Sequence, residues 1–128
     1  MSGSKTVLVV EDDKDHLKAL QIRLGAAGFE VIWAADGLQA VAAARRERPD
    51  VIVLDLGLPG GDGYQVLQRL KMLAPTSHIP IIVLSARDPA VHRKRSLEAG
   101  AVAFFQKPAD SDALLKTIHE SCTSGANQ

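Results

Sequence analysis

Five short runs of apolar, largely β-branched residues recur along the chain: TVLVV (6–10), EVIWA (30–34), VIVLD (51–55), IPIIVL (79–84) and AVAFF (101–105). The segments between them carry apolar residues at helical spacing. Leu17, Leu20 and Leu24 recur at three and four before Gly25 and Gly28 stop the first helix. Ala40, Val41 and Ala44 make a small-residue face ahead of RRERP (45–49). Val66, Leu67 and Leu70 mark a third helix, Val91 and Leu97 a fourth, and Leu114, Leu115 and Ile118 a fifth. This alternation excludes most folds. Continuous apolar strands need cover on both faces, and helices between strands supply it. Right-handed crossovers then leave an α/β fold, a doubly wound five-stranded parallel sheet, as the expected architecture.

A chain of 128 residues holds one such domain with a proper core. Fifteen basic and fifteen acidic residues cancel, so no whole-domain field draws it to nucleic acid or an acidic membrane. The single cysteine, Cys122, excludes an internal disulfide and fits a reducing compartment. No apolar run approaches the roughly 20 residues of a membrane helix, and MSGSKT lacks the apolar middle of a secretory signal. A cytoplasmic domain is expected, with MSGSKT a flexible lead and SGANQ a frayed tail.

In a doubly wound sheet the carboxyl ends of the strands share one edge, and ligands bind there. The first strand exits through Glu11, Asp12 and Asp13. The third, in VIVLDLGLPGGDG (51–63), exits at Asp55 and turns through Pro59, Gly60, Gly61 and Gly63. The fourth delivers Ser85 and the fifth Lys107, followed by Pro108. Singly, each has a plain reading: an acid can begin a turn or cap a helix, and Asp13 reads as a solvated loop carboxylate. Together the acids would repel, and a hard divalent cation relieves that repulsion. Mg²⁺ takes one or two carboxylates and completes its shell with water and phosphate. Asp12 and Asp55 fit direct ligands, Glu11 could hold a metal-bound water, and the Gly57 carbonyl lies close enough to contribute. Lys107 could pair with Asp55 in the empty site and with a phosphoryl oxygen in the filled one. Arg87, two after Ser85, could reach over that group. His16, His78, His92 and His119 lack metal-ligand spacing and read as surface residues. Trp33 and Tyr64 read as structural, and HRKRS (92–96) as a solvated basic face rather than a nucleic-acid site.

The set VLVVEDD, VIVLDLGLPGGDG, VLSA and FFQKP resembles the receiver domain of two-component response regulators, in order, over about residues 5–121. The resemblance implies one CheY-like, flavodoxin-like (βα)5 domain over 1–128 with strand order 2-1-3-4-5. It implies that Asp55 accepts a phosphoryl group from a sensor histidine kinase or a phosphotransfer protein. Glu11 and Asp12 would be the acidic pair for Mg²⁺ (or Mn²⁺), Ser85 the switch hydroxyl, Lys107 the site lysine, and Phe104 the aromatic switch. Such a domain signals, catalysing only its own phosphorylation and dephosphorylation. It would stand alone or belong to a longer regulator or hybrid kinase. Val102 and Ala103 stand where many DNA-binding relatives carry acids that help pair two receivers. A monomer or weak dimer is therefore expected, with no nucleic-acid or membrane binding. Its downstream protein partner would meet the face made by the fourth helix, fifth strand and fifth helix. Rival readings are a receiver-like module that is never phosphorylated and a haloacid-dehalogenase-like phosphatase. The latter needs a second acid two residues after its nucleophile, where this chain has Gly57. A nucleotide-binding domain lacks both glycine-rich phosphate motifs.

Overall fold

The structure, a computed structural model, describes residues 4–58 and 63–126. The expected turn through Pro59, Gly60 and Gly61 lies outside the described residues, as do the first three residues of the proposed lead and the last two of the tail. Strands β1 (Thr6–Val10), β2 (Glu30–Ala34), β3 (Val51–Leu54), β4 (Ile81–Ser85) and β5 (Ala103–Gln106) alternate with five helices. These are α1 (Lys14–Ala26), α2 (Gly37–Glu47), α3 (Gly63–Met72), α4 (Pro89–Glu98) and α5 (Ser111–Ala126). The strands pair in parallel, in the order β2-β1-β3-β4-β5, as the resemblance implies. β4 and β5 begin two residues later than the apolar runs suggest. Ile79 and Ala101 are buried just before the ladders start, and burial alone puts an apolar residue in such a run.

Side chains alternate across the sheet, and the alternation sorts the core into two layers. Leu8, Val10, Ile52, Leu54, Ile81 and Val83 pack beneath α2 and α3, with Ala40, Ala44, Leu67 and Leu70, and Phe104 joins this cluster from β5, beside α4. Val7, Val9, Val51, Val53, Ile82 and Leu84 face α1 and α5, against Leu20, Leu24, Leu114 and Ile118. Each fully buried Leu or Ile stabilises the fold by roughly 1.5–3 kcal/mol. Cys122, buried in the second layer, is free.

Helix starts are set by acids. Asp13, Asp36 and Asp88 each accept backbone amides at the N-termini of α1, α2 and α4. Gly25 lies inside α1; the turn comes at Gly28, whose φ of 94° suits a residue without Cβ. Three other expectations are corrected. Val91 and Leu97, taken as the buried stripe of the fourth helix, are exposed; the buried residue of α4 is Ser96. Trp33, read as structural, is 58% exposed on β2, because an edge strand is covered less completely than a central one. α5 continues through Ser124–Ala126, where a frayed tail was expected.

Candidate functional site

Register brings the site residues together. Val10 lies level with Leu54, so the residues that follow, Glu11 and Asp55, leave the sheet side by side. The Asp55 amide extends the ladder by donating to the Val10 carbonyl at 3.1 Å, and the Glu11 amide donates to Ala34 at 3.0 Å. On the other side, Ser85 lies level with Gln106, and the Lys107 amide donates to the Ser85 carbonyl at 2.8 Å. All four exits are thus held by rigid strands. Alternation then divides them by face. Glu11, Asp55 and Lys107 continue the α1–α5 side, with Val9, Val53 and Phe105 preceding them by two. Ser85 shares the α2–α3 side with Val83 and Phe104.

The three residues of the first group meet. Lys107 Nζ donates to Glu11 Oε1 at 2.7 Å and to Asp55 Oδ2 at 3.4 Å. The expected Lys107–Asp55 pair therefore forms, but the tighter bond goes to Glu11. Glu11 is buried, and its Oε2 accepts the Asp13 amide at 3.2 Å. Asp55 Oδ1 accepts the Gly57 amide at 3.1 Å. Exposed Asp12 completes a cluster in which Glu11, Asp12 and Asp55 each offer an oxygen, all within 4.8 Å of one another. Three carboxylates and the Lys107 ammonium leave two negative charges, which one divalent cation would balance, and an all-oxygen donor set of this kind fits Mg²⁺.

The electrostatics follow from burial and partners. Burial alone would raise the Glu11 carboxyl. The bonds from Lys107, the Asp13 amide and His16, together with the charge of Lys107, outweigh it and hold Glu11 below the ordinary carboxylate value. Asp55 is shifted the other way: burial raises it, the Glu11 charge adds to that, and the Gly57 amide and Lys107 offset only part. Burial would lower Lys107, yet the bond to Glu11 and the charges of Asp55 and Glu11 raise it, so it stays an ammonium.

Ser85 is 1% exposed and its Oγ accepts the Arg87 amide at 3.0 Å. The Arg87 guanidinium crosses to the loop after β3, where Nη2 donates to the Leu56 carbonyl at 3.3 Å beside Asp55. Phe104 is buried, with the Arg93 guanidinium 5.4 Å from its ring centroid and Nη1 bonded to its carbonyl at 3.1 Å. Gly63 closes the loop after Asp55. Its amide donates to Leu56 at 3.0 Å, and a Cβ there would sit 2.4 Å from the Leu56 Cα.

Two histidines read as surface residues have specific partners. His16 Nδ1 lies 2.6 Å from Glu11 Oε1. His92 Nδ1 lies 2.6 Å from the hydroxyl of buried Tyr64, whose ring also carries the Arg95 guanidinium at 3.8 Å. The missed signal for His16 was Asp13. Once that acid is read as the α1 cap rather than a solvated carboxylate, His16 falls in the first turn, beside the strand exit.

No helix among the described residues is long and apolar enough to cross a membrane. The family model of the response regulator receiver domain matches residues 7–119. Protein PilH of Pseudomonas aeruginosa is 35% identical over 113 residues, covering 88% of this chain and 93% of PilH. Response regulator PleD of Caulobacter vibrioides is 39% identical over 115 residues, covering 90% of this chain. This chain spans only 25% of the length of PleD. A crystal structure of the receiver domain of sensor histidine kinase PA1611 from Pseudomonas aeruginosa, with magnesium coordinated in its active site cleft, superposes with a TM-score of 0.85. It is 30% identical and covers 94% of this chain and 99% of that one. The fold, the acid cluster at the sheet edge and these likenesses agree: the chain belongs to the receiver domain family of two-component response regulators.

Proposed function

We propose that Asp55 is the phosphoacceptor, charged by a sensor histidine kinase or a phosphotransfer protein. The carrying observation is the cluster of Glu11, Asp12 and Asp55 oxygens within 4.8 Å, bridged by Lys107. An Asp55 oxygen bonds to phosphorus as the bond from phosphorus to the donor histidine nitrogen breaks. The electron pair returns to that nitrogen, which takes a proton from solvent. Burial makes Asp55 more basic than an ordinary carboxylate, which favours attack, and the Gly57 amide and Lys107 hold it in place. Glu11, Asp12, Asp55 and the Gly57 carbonyl would hold Mg²⁺ or Mn²⁺. When bound, that ion supplies charge neutralisation to the phosphoryl oxygens. Lys107 turns from Asp55 to one phosphoryl oxygen and the Ser85 hydroxyl donates to another.

Phosphoryl transfer asks a protein mainly for positioning and charge, and these residues sit on strand exits. Drawing Ser85 inward changes the face it shares with Phe104, so the signal passes to α4, β5 and α5, where a protein partner docks. The domain works in the cytoplasm as a monomer or weak dimer, without binding nucleic acid. It is a signalling domain rather than a turnover enzyme. The test is labelling by acetyl phosphate with Mg²⁺, read as the mass of one added phosphoryl group. Wild type should label, and Asp55→Asn or wild type in EDTA should not. An Asp55→Asn protein that labels normally would remove Asp55 from this role.

A further inference from the structure

We infer that His16 is a positioning residue for Glu11, holding that carboxylate toward the cation site from the first turn of α1. It rests on the reading of Glu11 as part of that site. Glu11 is 3% exposed, so each donor to its oxygens replaces water it has lost. Oε1 accepts two side-chain donors, Lys107 Nζ at 2.7 Å and His16 Nδ1 at 2.6 Å, while Oε2 accepts the Asp13 amide at 3.2 Å. An ionised carboxylate can only accept, so His16 Nδ1 carries the proton in this bond.

The two side-chain donors differ in what else they serve. Lys107 is shared with Asp55 and, in the proposed reaction, leaves for a phosphoryl oxygen. His16 is fixed by its own helix: its backbone amide donates to Asp13 Oδ1, the α1 cap, at 3.2 Å. As Lys107 turns to that oxygen, His16 and the Asp13 amide hold Glu11 in one orientation. Groups that orient the members of a metal site in this way typically change affinity by about 10–100-fold when removed.

The test is calorimetric titration of the full chain with Mg²⁺, comparing wild type, His16→Leu and His16→Asn. The asparagine amide can offer an N–H near the Nδ1 position, whereas leucine fills the space without a donor. Wild type should bind Mg²⁺, His16→Leu should bind about tenfold more weakly, and His16→Asn should recover most of the difference. Thermal melts establish that each variant is folded at the titration temperature. Equal affinity of wild type and His16→Leu would overturn the inference while leaving the cation site standing. Failure of wild type itself to bind Mg²⁺ would overturn the cation reading, and this inference with it. An independent readout is the nitrogen NMR signature of the His16 ring. Nδ1 should be protonated in wild type, and a ring protonated only at Nε2 would contradict the bond.

Discussion

Replacing Lys107 with methionine keeps the aliphatic stem and removes the charge that Glu11 and Asp55 share. The two side chains are 3% and 12% exposed, and Lys107 is 18% exposed, so none of the three is freely solvated. At distances of 2.7 and 3.4 Å, an effective dielectric of about 20 gives gross attractions of roughly 5–6 kcal/mol each. Dehydrating the ammonium cancels much of that. Removing one partner of a buried pair costs about 3–5 kcal/mol, and partial exposure places Lys107→Met nearer 2–3 kcal/mol. Protonation sets a ceiling, because one carboxyl can escape the repulsion by taking a proton. From an ordinary value near 4.3 that costs about 4 kcal/mol at pH 7 and about 1 kcal/mol at pH 5. The sign agrees with linkage: Glu11, held low in the folded state, contributes stability above its unfolded value and loses it as pH falls. Urea unfolding in EDTA should therefore show Lys107→Met less stable by about 2–3 kcal/mol at pH 7 and by no more than about 1 kcal/mol at pH 5. Added Mg²⁺ should close most of the gap at pH 7. An equal loss at both pH values, or no loss at pH 7, would refute the assignment of Lys107 as the shared counter-charge.

Gly63→Ala forces a Cβ onto the Leu56 backbone; it should cost about 1–3 kcal/mol in urea unfolding and slow phosphorylation by acetyl phosphate. Asp55→Asn removes a carboxylate that burial and Glu11 disfavour, so the metal-free variant should unfold at the same or up to about 1 kcal/mol higher stability at pH 7, a gain that vanishes at acid pH where Asp55 is protonated. Arg87→Ala loses the reach to Leu56 beside the acceptor; time courses of intact mass should show a changed rate of dephosphorylation with Mg²⁺ affinity nearly unaltered, and equal decay would make Arg87 a bystander.

The fold was legible because burial on both faces writes itself into β1, β3 and β4 as unbroken apolar runs. The acid site was legible for a related reason: parallel strands share an exit edge, so Glu11, Asp12, Asp55, Ser85 and Lys107 could be placed there from strand ends alone. What burial pattern could not give was contact across elements. Val91 and Leu97 sit at helical spacing, yet α4 turns them outward and ties itself down through polar groups, Arg93 to Phe104 and His92 to Tyr64. Trp33 looked structural because tryptophan usually is, but an edge strand leaves it in solvent. His16 lacked metal-ligand spacing, and its role runs through Glu11 rather than to an ion. The face-by-face division of Glu11, Asp55 and Lys107 from Ser85 and Phe104 follows from period-two alternation and could have been read from the sequence.

The most direct test of Asp55 as phosphoacceptor is chemical. The protein is incubated with acetyl phosphate and Mg²⁺, then reduced with borohydride, which converts an aspartyl phosphate to homoserine, and the peptides are sequenced by mass spectrometry. Homoserine at position 55, dependent on Mg²⁺ and on the phosphodonor, is the predicted result. Labelled protein with aspartate intact at 55, or homoserine at Asp12 or Asp13 instead, would contradict it.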